Sequence, residues 1–276
     1  MIVAQHWGSL SRVARDAAYN NSEAVPGSAD ISAARLTASM AFRAAHAGHL
    51  DIPYGPAERN KWDLFPAADP AAPCLVFIHG GYWQRGSRES SSVLTEGILA
   101  HGWSAALPGY TLAPDISLAG LIAELHAALD WLATDGRQHG IAGPIYVTGW
   151  SAGGHLTAMT LSHPAVKAAL AISGVFELGP IRDIYLNEKL RLTENEIATL
   201  SPLRLPVVEK PMSLAYGSLE LAALVQDSQA LHARRAAAHV PGVLIPVAGT
   251  NHFTVLDELQ KPDGVITRQR GCGHQA

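Results

Sequence analysis

Short apolar runs recur along the chain, and few folds can accommodate them. "CLVFI" (74–78), "WSAALP" (103–108), "IYVTG" (145–149), "AALAIS" (168–173), "SLAYG" (213–217) and "VLIPVAG" (243–249) are strand-length and free of charge. A strand with one wet face alternates apolar with polar, so a run apolar at nearly every position must be covered on both faces. Helical spacing marks the intervals "SSVLTEGILAHG", "LAGLIAELHAALDWLATDG", "SAGGHLTAMTLSH", "SQALHARRAAAHV" and "FTVLDELQ". Strands alternating with helices predict an α/β fold: a mostly parallel central sheet with helices on both faces. "KWDLF" (61–65) alternates and is followed by a proline-rich loop, which predicts an edge strand.

The whole chain, 1–276, reads as one domain. Residues 1–50 form a helical leader, in which "RLTASMAFRAAHAG" has apolar residues near the helical period. Residues 176–206, "FELGPIRDIYLNEKLRLTENEIATLSPLRLP", carry no strand signal and interrupt the alternation. A long insertion in a doubly covered sheet often builds a lid over the site.

Apolar residues make up 48% and charged ones 16%, enough apolar material for a large core and against disorder. The net charge of −4 comes without a basic block, so neither nucleic acid nor an anionic membrane is an expected partner. No apolar run approaches the roughly 18 residues that cross a bilayer. "MIVAQHWGSLSRVARDAAYNN" lacks the apolar stretch and cleavage site of a signal peptide. Cys74 and Cys272 have no metal spacing and are expected as free thiols in a cytoplasmic protein.

"IYVTGWSAGGHLTAM" contains G-x-S-x-G at Gly149–Gly153. Alone the motif is weak, but a β-branched strand precedes it and a helix follows. That is the setting of a nucleophile elbow, where a strained turn needs small neighbours and lifts the serine above the sheet. Ser151 is the expected nucleophile; the bland alternative is a capping serine in an ordinary strand-to-helix turn.

A serine that attacks a carbonyl needs donors for the oxyanion, worth about 2.7–4 kcal/mol each in the transition state. One would be the N–H of Ala152. "HGGYW" (79–83), after the strand "CLVFI", supplies the others: Gly80 and Gly81 let the backbone turn its N–H groups inward, with Tyr82 next in line. His79 is then expected to bond loop backbone. Tyr82 and Trp83 would wall an aromatic pocket with Trp150, Phe253 and Tyr185, or simply pack beneath the insertion.

In this arrangement the acid and then the histidine follow the serine along the chain. His155, His163, His232 and His239 fall in helices and His274 in the tail; His252 alone follows the last strand, which makes it the expected base. The acid should follow the preceding strand. Glu220 in "SLE" is the first choice, with Asp227 and Asp183 as alternatives.

Together these words resemble the α/β-hydrolase superfamily. "HGGYW", "GWSAGGHL" and "NHFTVLDEL", with "YGP" (54–56) and "LNEKLRLTENEIATLSPL" (186–203), are similar to its kynurenine formamidase (arylformamidase) branch, next to the hormone-sensitive-lipase-like esterases. The resemblance spans roughly residues 50–260. It implies an α/β-hydrolase fold, no cofactor, a cytosolic enzyme, and hydrolysis of N-formylkynurenine or another aryl formamide through an acyl-enzyme. It also implies Ser151 as nucleophile and His252 as base, while Glu220 stands where the family often has aspartate. A broad short-chain carboxylesterase and a non-catalytic binding protein of the same fold are the alternatives. The expected partner is a small aryl amide or ester, and a homodimer stays open.

"HAGHLD" brings His46, His49 and Asp51 together, but no second cluster completes a metal site, so a helix end is expected there. No dinucleotide or phosphate-binding glycine motif is present.

Overall fold

A computed structural model describes residues 7–269. The N-terminal start, Cys272 and His274 lie outside the described residues.

The chain forms an eight-stranded sheet of order β1-β2-β4-β3-β5-β6-β7-β8. The strands are β1 (His49–Pro53), β2 (Lys61–Phe65), β3 (Cys74–Ile78), β4 (Ser104–Pro108), β5 (Ile145–Trp150), β6 (Val166–Ile172), β7 (Met212–Gly217) and β8 (Leu244–Val247). The β1–β2 and β2–β4 pairs are antiparallel, and the pairs from β4 through β3 to β8 are parallel. This is the α/β-hydrolase fold.

Burial explains the parallel part. β3 and β4 are buried at every position, yet their side chains still alternate between faces. Cys74, Val76 and Ile78 join one apolar cluster; Leu75 and Phe77 join the cluster on the opposite face. The first cluster is covered by α2 (Leu118–Asp135) and α3 (Ala152–Thr160). In α2, Leu118, Leu121, Ile122, Leu125, Leu129 and Leu132 recur every three or four residues and are buried; Ser117 caps the helix by accepting from the Gly120 N–H at 3.1 Å. Each such leucine or isoleucine contributes roughly 1.5–3 kcal/mol by leaving water. α4 (Glu194–Leu200) and α5 (Ala222–Ala237) follow.

The N-terminal side departs from expectation. "KWDLF" is a strand, but it is one place in from the edge. The edge is β1, which begins at His49, inside the stretch read as a helix end. The preceding helix, α1 (Ser28–Ala45), ends four positions earlier. β1 has an alternating, half-exposed pattern and a bulged register, so its sequence lacks the continuous apolar signal of the central strands. Its Asp51 pairs with Arg88, which with Arg43 also flanks the fully buried Asp63 of β2. His46 stacks on Phe42 and His49 edges against His139. Among the described residues no group of three His, Cys, Asp or Glu could hold a metal ion, and no helix is long and apolar enough to cross a membrane.

The interval "SSVLTEGILAHG" is a 3-10 turn, Glu89–Thr95, running into the short helix Glu96–Leu99. Residues 176–206 hold the short helices Gly179–Arg182 and Asn187–Leu190 together with α4, which carries a Thr193–Glu196 capping box. Phe176, Leu178, Ile181, Ile184, Leu186, Leu190 and Ile197 are buried, so the insertion is docked through its own apolar residues.

Candidate active site

Ser151 stands between β5 and α3 with φ 59° and ψ −120°. A non-glycine residue there carries strain on the order of 1–3 kcal/mol, held by its surroundings. The Ser151 N–H donates to the Ile172 carbonyl at 2.8 Å. The flanking glycines are required by space: a Cβ on Gly149 would lie 2.4 Å from the Gly153 carbonyl oxygen, and one on Gly153 2.1 Å from that of Ile78.

His252 is held from several sides. Asn251 Oδ1 accepts from the N–H groups of Phe253 (2.9 Å) and Thr254 (3.0 Å), closing a tight turn after β8. The Trp150 indole N–H donates to the His252 carbonyl at 2.8 Å, and Arg35 Nη2 donates to the Phe253 carbonyl at 2.9 Å. His252 Nδ1 donates to Glu220 Oε2 at 2.9 Å. The other carboxylate oxygen of Glu220 accepts from Ser173 Oγ and the Gly217 N–H, each at 2.6 Å. The Glu220 side chain has no exposed surface, so three donors replace water around it. With Nδ1 carrying the proton, Nε2 of His252 is left as an acceptor. His252 and Ser151 line the same cavity without a direct hydrogen bond between their side chains.

The other candidate acids are elsewhere. Asp227 Oδ2 accepts from the N–H groups of Phe176 (2.6 Å) and Glu177 (3.1 Å), tying α5 to the start of the insertion. Burial pushes its carboxyl up to about 7. Asp183 accepts from the Trp7 indole. Of the other histidines, His79 is buried, stacks on Tyr110 and bonds the Gly80 carbonyl through Nδ1 (2.8 Å); burial lowers it to about 4. His155 bonds the Leu200 carbonyl through Nε2 and accepts from the Trp83 indole; burial lowers it, too, to about 4.

The 79–83 loop lies directly against the elbow. A Cβ on Gly80 would be 2.6 Å from the Trp150 carbonyl oxygen and 3.2 Å from Ser151 Cβ. Gly81, Tyr82 and Trp83 take φ of 121°, 57° and 59°, a left-handed turn that only the glycine adopts at no steric cost. Among the described residues, the N–H groups of Gly81, Tyr82 and Ala152 have no backbone hydrogen-bond partner. Donors left unpaired beside a serine are what an oxyanion requires.

Two cavities meet at Ser151. The larger, about 380 Å³, is lined by His252, Gly80, Gly81, Tyr82, Trp150 and Phe253 on the sheet side. The smaller, about 10 Å³, lies among Tyr82, Trp83, Ala152, Ile181 and Leu186. The pocket expected from the aromatics is therefore divided. Trp150, Phe253 and Tyr82 line the large cavity. Trp83 is 1% exposed and borders only the small one. Tyr185 borders neither; it lies in an adjoining groove beyond Tyr82.

The roof over the large cavity is also different from the one expected. No residue of 176–206 lines it; Ser28, Ala29, Ser32 and Arg35 of α1 do, with Ser22. The insertion instead walls the small cavity through Ile181 and Leu186. These α1 residues belong to no motif, and the apolar period of the helix does not point to them. The spacing of Ser28, Ser32 and Arg35, four and then three residues apart, puts a polar stripe on one helical face and was the available signal.

The comparisons with known proteins agree with this architecture. The BD-FAE family model matches residues 64–171. The chain is 27% identical to the kynurenine formamidase of Danio rerio over 236 residues, 79% of each chain. It is 35% identical to the esterase LipC of Mycobacterium tuberculosis over 105 residues, 36% of this chain and 26% of that protein. The crystal structure of a candidate thioesterase from Silicibacter sp. TM1040 superposes with a TM-score of 0.83 at 28% identity, covering 92% of this chain and 97% of the other. The likeness is to α/β-hydrolase enzymes of the esterase, thioesterase and formamidase kinds rather than to one branch, and it supports a serine-hydrolase role in general.

Proposed function

We propose that the protein is a serine carboxylesterase for short acyl groups, acting through an acyl-enzyme on Ser151. His252 Nε2 takes the serine proton during attack and returns it to the leaving group. Glu220 holds the imidazole in the Nδ1–H tautomer and stabilises the imidazolium. The N–H groups of Ala152 and of the Gly81–Tyr82 turn receive the oxyanion.

The observation that carries the short-acyl reading is the unequal pair of cavities at Ser151. About 10 Å³ is close to the room one water needs, so the small side suits a formyl or acetyl group. The large side, within the usual range of ligand pockets, takes the alcohol or amine. A second reading, an aryl formamidase, is favoured by the kynurenine formamidase likeness along 79% of the chain and by the aromatic lining of the large cavity.

The test is kcat/KM along a p-nitrophenyl series from acetate to decanoate, with an aryl formamide beside it. A maximum at the shortest acyl groups is expected, and Ser151→Ala should lose turnover by orders of magnitude along with fluorophosphonate labelling. Rates rising beyond about six carbons would mean an open groove and would overturn the short-acyl assignment. Formanilide turnover rivalling that of the acetate ester would favour the amide reading.

A further inference from the structure

The large cavity has a charge asymmetry that the hydrolytic steps do not use. Its lining includes Arg35 and Arg85 and no aspartate or glutamate. Arg35 is committed: Nη2 bonds the Phe253 carbonyl and approaches Asp257 at 3.5 Å. Arg85 is different. Its Nη2 donates to Ser22 Oγ at 2.8 Å, and its guanidinium lies 4.9 Å from the Tyr82 ring centroid. No ion pair joins it to a described residue.

An arginine stacked on an aromatic ring and pinned at one nitrogen keeps its remaining N–H groups in a fixed plane. Such an edge matches the two oxygens of a carboxylate better than it matches water. Because the acyl group belongs to the small cavity, whatever meets Arg85 belongs to the leaving group. Resting on the hydrolase reading above, we propose that Arg85 is a specificity-determining residue that recognises a carboxylate on the leaving-group portion of the substrate, with Arg35 adding to the positive potential of the same cavity. The preferred substrates are then short-acyl esters or amides of acidic aromatic alcohols or amines. Tyr82 links the two halves of this recognition: its backbone belongs to the oxyanion turn and its ring carries the guanidinium.

The experiment separates binding from hydrolysis. Ser151→Ala protein is titrated with 4-acetoxybenzoate and with the neutral 4-acetoxybenzamide. The carboxylate should bind about tenfold more tightly, the size expected of a hydrogen-bonded charge pair. Adding Arg85→Gln should collapse that ratio, Arg85→Lys should keep part of it, and Arg85→Glu should invert it. In the otherwise native protein the same ratio should appear in kcat/KM, mainly through KM. Fluorophosphonate labelling of the Arg85 variants checks that the site is assembled. Equal affinity for the two ligands, or a ratio unmoved by Arg85→Gln, overturns the proposal. Absence of hydrolysis and of labelling in the native protein would overturn the hydrolase reading instead, and the affinity ratio would still decide whether Arg85 reads a carboxylate.

Discussion

Glu220 accepts from three donors and has no exposed surface, so its exchange for glutamine replaces an acceptor by a group that must also donate. Glu220→Gln is expected to cost up to about 10⁴ in kcat, because the imidazole loses its tautomer and its charge partner. Asp227→Asn keeps an oxygen for the Phe176 and Glu177 N–H groups and should cost far less. Steady-state kinetics of the two variants decide the acid, and the reverse ranking would move it to Asp227. Trp83 poses a different problem. Its ring is buried, its indole is bonded to His155, and it borders the small cavity. Trp83→Leu should destabilise by roughly 3 kcal/mol and shift the preferred acyl length upward. Denaturant unfolding and the ester series read the two effects separately.

At the scale of elements, the site is assembled from strand ends and one remote helix. β5 ends in the elbow, β3 runs into the 79–83 turn, and the loops after β7 and β8 carry Glu220 and His252. Parallel strands end on one edge, so these groups meet above it whatever their separation in the chain. α1 closes the cavity from above and is tied to the His252 loop through Arg35. Ser32 is exposed at its surface yet lines the cavity, so Ser32→Trp adds bulk to the roof without disturbing a packed core. The expected result is a marked rise in KM for bulky aryl esters with little change for ethyl acetate. Equal effects on both would mean that leaving groups do not lie under α1.

Across the whole molecule, Asp227 makes stability depend on pH. Burial raises its folded-state value from 3.8 to about 7. Below 3.8 both folded and unfolded chains hold the proton; between 3.8 and about 7 the folded chain holds it and the unfolded chain does not. Its contribution is therefore fully present in acid and is lost as pH rises through that window. Asp227→Asn should flatten the profile there. Chemical unfolding of both proteins across that range checks it, and parallel slopes would show that Asp227 does not titrate so.

Whatever local chemistry controls could be read from the residues directly. Continuous apolar runs demand two-sided burial, which matches the parallel part of the sheet from β4 to β8. G-W-S-A-G between strand and helix allows only a tight, strained turn, and the glycine pair after β3 permits a left-handed corner. His252 and Glu220 were legible because each directly follows a strand, where position along the chain already gives the edge of the sheet. Whatever depends on approach between distant segments emerged only in the folded chain. β1 is half-exposed and bulged, so its pairing with β2 comes from register rather than from its own hydrophobicity. Trp83 and Tyr82 are neighbours, but successive left-handed residues send one toward His155 and leave the other between the cavities. The insertion docks through its own leucines and isoleucines, leaving the large cavity to α1. Which of two helical segments covers a site is a competition between apolar faces for the same sheet edge, and neither segment's sequence states its result.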